Sequence, residues 1–176
     1  MSESQKEPWL NQLALSTVFL AVCATLSTFK AGGYSTLSLI SQQQASDQWA
    51  FYQAKSLKKN LYDLSRSQLQ LARAALPAGS PAAAEFDAKI AEFGKKSATY
   101  GQEQADIQAK AKQLELQRDT AQKHGKPFGL AVIFLQVAIL LSSVAGLLKK
   151  KALWLTALPV GLLGMLFFAN GFWLFF

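Results

Sequence analysis

The 176-residue sequence has a formal net charge of +7, yet only 16% of its residues are charged, and it contains one Cys and one His. An ordinary soluble domain carries about 25% charged residues. The single Cys excludes a disulfide framework and a cysteine-based zinc site, and the single His excludes the imidazole clusters of metalloenzymes. The charge is also unevenly placed: residues 8–29, 127–148 and 152–176 contain no Asp, Glu, Lys or Arg, while most charges fall between Lys30 and Lys126. This distribution predicts an all-α integral membrane protein. Three transmembrane helices are expected, with a long antiparallel, coiled-coil-like helical hairpin inserted between the first and the second.

After an N-terminal tail (residues 1–8), the first transmembrane helix is placed at 9–29, since the uncharged run reaches across a hydrocarbon core of about 30 Å. Asn11, Gln12, Ser16, Thr17, Thr25, Ser27 and Thr28 lower its hydropathy and predict a face turned toward other helices, where hydroxyls bond across an interface. A lipoprotein signal is disfavoured because Val22, before Cys23, is branched where a small residue is required. Cys23 is then an ordinary apolar-face residue. Trp9 and Tyr34 bracket this helix as interfacial anchors do.

The hairpin domain is expected at 30–126, with arms at about 41–76 and 81–123 and a turn at 77–80. Neither Pro nor Gly occurs from Ser41 to Leu76, and Pro77-Ala78-Gly79-Ser80-Pro81 then breaks the chain. Ser80 suits an N-cap and Pro81 a first helical residue. At helical rise the arms reach about 55–65 Å. In the second arm, Phe86, Ile90, Phe93, Ser97, Tyr100, Gln104, Ile107, Ala111, Leu114, Arg118 and Ala121 alternate spacings of four and three, which is a heptad seam. In the first arm, Ala50, Ala54, Leu57, Leu61, Leu64, Gln68, Leu71 and Ala75 repeat the pattern, and antiparallel pairing sets Leu71 beside Phe86, Leu64 beside Phe93 and Leu57 beside Tyr100. A second stripe, with Phe51, Tyr62, Leu69 and Leu76 and with Trp49 and Tyr52 nearby, is left over for another surface to cover.

The second transmembrane helix is placed at 127–148, beginning at Pro127, a basic loop at 149–151, and the third helix at 152–176, ending in an aromatic cluster. Three lysines in the shortest loop, Lys149-Lys150-Lys151, predict a cytoplasmic loop and an extracytoplasmic hairpin. Gln136 and Asn170, deep in the later spans, are expected to bond between helices. Gly32-Gly33 and Gly125 mark breaks on which the hairpin either swings or is held by neighbours.

No phosphate-binding loop, nucleophile elbow or metal-ligand spacing is present, so no catalytic, cofactor-binding or metal-binding residue is assigned. His124 reads as a juxtamembrane residue. Basic residues are mixed with acidic ones along helix faces, which disfavours nucleic acid; Lys30, Lys123 and Lys126 suit anionic lipid headgroups. The segment from Gln44 to Tyr62 is the densest in polar and aromatic side chains. Asp47, Gln48, Trp49, Phe51, Tyr52, Lys55, Tyr62 and Leu69 are the candidate interaction surface.

Ala24–Thr36, Gln44–Lys55, Phe128-Gly-Leu-Ala-Val and Asn170-Gly-Phe resemble an uncharacterised bacterial membrane family catalogued only as a domain of unknown function. The resemblance implies a bacterial inner-membrane protein with three spans and a helical insertion, and it carries over no activity, cofactor or catalytic residue. The expected function is that of a non-enzymatic oligomeric scaffold or accessory subunit in contact with membrane lipid, either a homo-oligomer or part of a larger membrane complex, with no small-molecule substrate identified. The alternative is a channel or transporter subunit whose pore is lined by the hydroxyl-rich first transmembrane helix.

Overall fold

The computed structural model describes residues 8–77 and 79–175. Residues 1–7 of the expected tail, Ala78 of the turn and Phe176 of the terminal aromatic cluster lie outside them. The described residues form three α-helices and no strand: α1 (Pro8–Ala74), α2 (Pro81–Leu147) and α3 (Lys151–Trp173). Each holds a stretch long and apolar enough to cross a membrane. Helix α1 runs through Gly32-Gly33 and α2 through Gly125 and Pro127, so the breaks expected there are absent and Pro127 lies inside a helix instead of opening one.

The chain ends of these helices follow local rules. The Ser80 hydroxyl accepts the Ala83 N–H at 3.2 Å and so caps α2, with Pro81 in the first helical position. Gly79 takes the left-handed conformation (φ +82°) that the turn between α1 and α2 requires. Between α2 and α3 the Lys150 N–H bonds the Ala145 carbonyl at 3.1 Å and Lys149 adopts φ 53°, a Schellman-type ending with lysine where glycine is usual.

The chain divides into two compact units. Among the described residues, the first comprises 8–39 and 118–175. Its interior is built on α2, where Phe128, Ala131, Leu135, Ala138, Ser142 and Ala145 are all buried at spacings of three and four. Small side chains dominate that seam. Helix α1 contributes Leu20, Cys23 and Ala24, and α3 contributes Gly161, Gly164 and Gly171. A Cβ on Gly164 would lie 2.8 Å from Leu135 Cγ, and one on Gly171 would lie 2.7 Å from two ring atoms of Phe128. The large apolar side chains point outward, among them Leu15, Phe29, Leu140 and Leu162. Small residues inside and bulky apolar residues outside are what a helix bundle in lipid requires, since lipid offers no hydrophobic penalty for exposing leucine and close backbone approach supplies the packing.

At one end of this unit Trp154 Nε1 donates to Ser16 Oγ at 3.3 Å and its ring lies beside Trp9. At the other end His124 is more than a surface residue. Its ring stacks on Tyr34 with centroids 5.2 Å apart, and its Nδ1 lies 2.8 Å from the Gly171 carbonyl, an acceptor, so Nδ1 carries the proton of that bond. Asn170 is buried, whereas Gln136 lies on the outer face.

Candidate functional site

The second unit, residues 40–117, is an antiparallel pair made from the C-terminal part of α1 and the N-terminal part of α2. On α2 the face turned inward is the heptad seam: Ser97, Ile107 and Ala111 are buried, and Phe86, Ile90, Phe93, Tyr100, Gln104 and Leu114 half-buried. On α1 the opposite of the expected face is turned inward. Leu57, Leu61, Leu64 and Leu71 are 72%, 60%, 58% and 77% exposed, and Ala50, Ala54, Gln68 and Ala75 are exposed with them. The pairings of Leu57, Leu64 and Leu71 with the second arm do not occur.

The surplus stripe makes the pairing instead. Tyr62 stands between Phe93 (centroids 5.4 Å, edge-on) and Tyr100 (5.7 Å, stacked). Trp49 Nε1 donates to Glu115 Oε1 at 2.9 Å. The Lys55 ammonium lies 2.6 Å from Glu103 Oε2 and 5.1 Å from the Tyr100 ring centroid, so it is held by charge and by the ring face together. Ser97 Oγ donates to Asp63 Oδ1 at 2.5 Å, and Arg73 Nε donates to Asp87 Oδ1 at 3.0 Å. Gly94 and Gly101 lie within 3.3 Å of the Arg66 guanidinium and 3.6 Å of the Lys59 stem, distances measured from where a Cβ would stand.

The physical reason is that the aromatic face offers both more area and specific bonds. Tyrosine and tryptophan bury large rings and still satisfy a polar tip, and lysine and arginine stems cover apolar surface while their heads reach carboxylates on the other arm. A leucine seam offers area alone. Glycines seven residues apart beside a heptad seam are the sequence signal that long side chains cross there.

The candidate interaction residues accordingly have mixed placements. Gln48, Trp49, Tyr52, Lys55, Tyr62 and Leu69 are half-buried, and the structure gives Trp49, Lys55 and Tyr62 partners on the second arm. Tyr52 meets the Trp49 ring edge-on at 5.6 Å. Phe51 is 50% exposed beneath the Lys55 ammonium, and Asp47 is exposed, accepting from Gln43 Nε2 at 3.0 Å. Leu57, Leu61, Leu64 and Leu71 supply the open apolar surface of this unit's α1 segment. Among the described residues no group of His, Cys, Asp and Glu stands together in a way that would hold a metal ion.

The family described as a domain of unknown function, DUF4337, matches residues 9–174, which takes in all three helices. The chain belongs to the DUF4337 family. No curated protein and no solved structure matches it.

In this DUF4337 chain the hairpin also holds acid-sensitive contacts, two within its arms and one, Ser97 to Asp63, between them. The Lys59 ammonium, with the Ser97 hydroxyl, holds the Asp63 carboxyl below the usual carboxylate range, and Lys96 does the same for Glu92. A lowered folded pKa means that the contribution is complete above the unfolded value of about 3.9 for Asp and is lost as pH falls through the folded value. The denaturation midpoint of the hairpin, followed by circular dichroism, should therefore fall between neutral pH and about pH 3. Asp63→Asn should be less stable than the native chain at neutral pH and show a smaller acid-induced fall; an identical acid profile would remove Asp63 from the account.

Proposed function

We propose that this chain is a non-enzymatic scaffold or accessory subunit of a bacterial inner-membrane assembly, with the hairpin as its protein-interaction surface. The observation that carries this reading is the uncharged aliphatic stripe of α1, whose leucines are left more than half exposed while tyrosines, lysines and carboxylates make the contacts between the arms. A row of exposed leucines at heptad spacing marks a surface that another helix covers. The three lysines of the loop at 149–151 favour a cytoplasmic loop and an extracytoplasmic hairpin in this reading.

The alternative, a pore lined by the hydroxyls of the first span, has less in its favour. Ser16, Thr17, Thr25, Ser27 and Thr28 each donate to a carbonyl three or four residues earlier in their own helix, and Ser27 is buried. Hydroxyls engaged in this way have no proton to give a permeating anion and keep only their oxygen lone pairs for a cation.

The protein mass of the gently solubilised complex, by light scattering corrected for detergent, tests the proposal. A discrete multiple of 19.2 kDa, or a larger mass containing another protein, is expected. A single chain at all concentrations would count against it.

A further inference from the structure

We infer that the outward stripe of α1 pairs in parallel and in register with the same stripe of a second copy of this chain. The inference rests on the reading of the hairpin as an interaction surface and names its partner.

The stripe from Ala50 to Ala75 keeps alternating spacings of four and three over more than three heptads, the length at which such a pattern supports a coiled coil. Leu57, Leu64 and Leu71 then occupy d positions and Leu61 and Gln68 occupy a positions. Leucine at d favours two parallel strands when β-branched residues fill a; the a positions here are Ala54, Leu61, Gln68 and Ala75, so the sense of pairing falls to the polar one. Gln68 decides the sense of pairing. In a parallel pair a meets a, so the two Gln68 amides face each other and can exchange donor and acceptor. In an antiparallel pair a meets d, and every d position of the stripe is Ala or Leu, which would leave the amide opposite a hydrocarbon.

Charge permits that sense. The flanking positions of a parallel pair set Gln53 opposite Lys58, Asn60 opposite Ser65 and Ser67 opposite Ala72, so no like charges are opposed. The exposed face of the α2 arm is a poor substitute, since it carries Glu85, Lys89, Glu92, Lys95 and Asp106. Copies inserted with one topology also run their α1 helices in the same direction, which a parallel pair needs.

The test uses the full-length chain in its native membrane with Cys23→Ala as background and one cysteine introduced at Leu57, Leu64 or, as a control, Lys95. Residues facing each other across d positions lie within the roughly 7 Å that a disulfide tolerates. Mild oxidation should join Leu57→Cys and Leu64→Cys chains into a species of twice the chain mass and leave Lys95→Cys as single chains. Leu57→Glu with Leu64→Glu should halve the mass of the solubilised dimer and leave its helical circular dichroism unchanged. If that double variant loses helicity, the cysteine pattern alone decides. Self-association with no crosslink at Leu57 or Leu64 would overturn this pairing while leaving an oligomer. Crosslinking of those positions to a different protein of discrete mass would overturn the second copy as partner and keep the hairpin as an interaction surface. No crosslink and a single-chain mass would overturn both.

Discussion

Gly164→Ala and Gly171→Ala are each expected to destabilise the first unit by about 2–3 kcal/mol, the upper part of the range for overpacking a closed interior. A Cβ at residue 164 would meet Leu135 Cγ at 2.8 Å, Cδ2 at 2.9 Å and the backbone nitrogen at 3.0 Å. A side chain can turn away, but the backbone of a packed helix cannot. At residue 171 the obstacle is the Phe128 ring, which is fully buried and hemmed in by Tyr34, Phe168 and Phe172 at centroid distances of 6.0, 6.0 and 5.0 Å. Thermal unfolding in detergent should show each variant melting about 5–10 °C below the native chain. A double-mutant cycle separates the two cases. Phe128→Leu should restore part of the loss in Gly171→Ala, and Leu135→Ala part of that in Gly164→Ala but not all of it, since the backbone nitrogen stays 3.0 Å from the added Cβ. Gly32→Ala, with nothing within 4 Å of the added atom, is the control and should not lose stability. If Gly164→Ala and Gly171→Ala melt with the control, the close approach of α3 to α2 is wrong.

Tyr62→Ala should destabilise the hairpin by about 2–4 kcal/mol, in the range for removing a large aromatic from packed surroundings. It removes one ring from two aromatic contacts and takes away the face over which the Lys96 ammonium stands at 5.5 Å. Leu64→Ala, two residues away, should change hairpin stability by no more than about 0.5 kcal/mol in dilute detergent, where chains are apart, because its side chain is 58% exposed. The two variants ask which face of α1 meets α2. Denaturant titration followed by circular dichroism at low protein concentration gives the answer. A larger loss for Leu64→Ala than for Tyr62→Ala would mean that the leucine seam, not the tyrosine face, lies between the arms.

The helical class, the positions of the uncharged stretches and the turn after Leu76 were legible in the residues alone. Charge-free runs above 20 residues, a Pro and Gly cluster between long runs without either, and a serine placed to cap the next helix are local signals, and local chemistry suffices to read them. The α2 seam was legible too, since its arm has one apolar stripe from Phe86 to Ala111 and nothing competes with it.

The α1 arm has two stripes, and periodicity cannot rank them. Leu57, Leu61, Leu64 and Leu71 form the cleaner heptad, but the partners that choose between the stripes lie far along the chain: Phe93 and Tyr100 for Tyr62, Glu103 for Lys55, Glu115 for Trp49. Only the tertiary structure brings them together, and it turns the aromatic and charged side inward because that side gains both ring burial and cross-arm bonds. The same holds for Gly32-Gly33 and Gly125. Glycine in a sequence suggests a break, yet hydrogen bonding along a continuous helix carries the chain through all three positions. What the sequence by itself determined is therefore which segments are helical and which are apolar enough to span a bilayer. What only the packed chain decided is which face of α1 is used up within the molecule and which is left exposed.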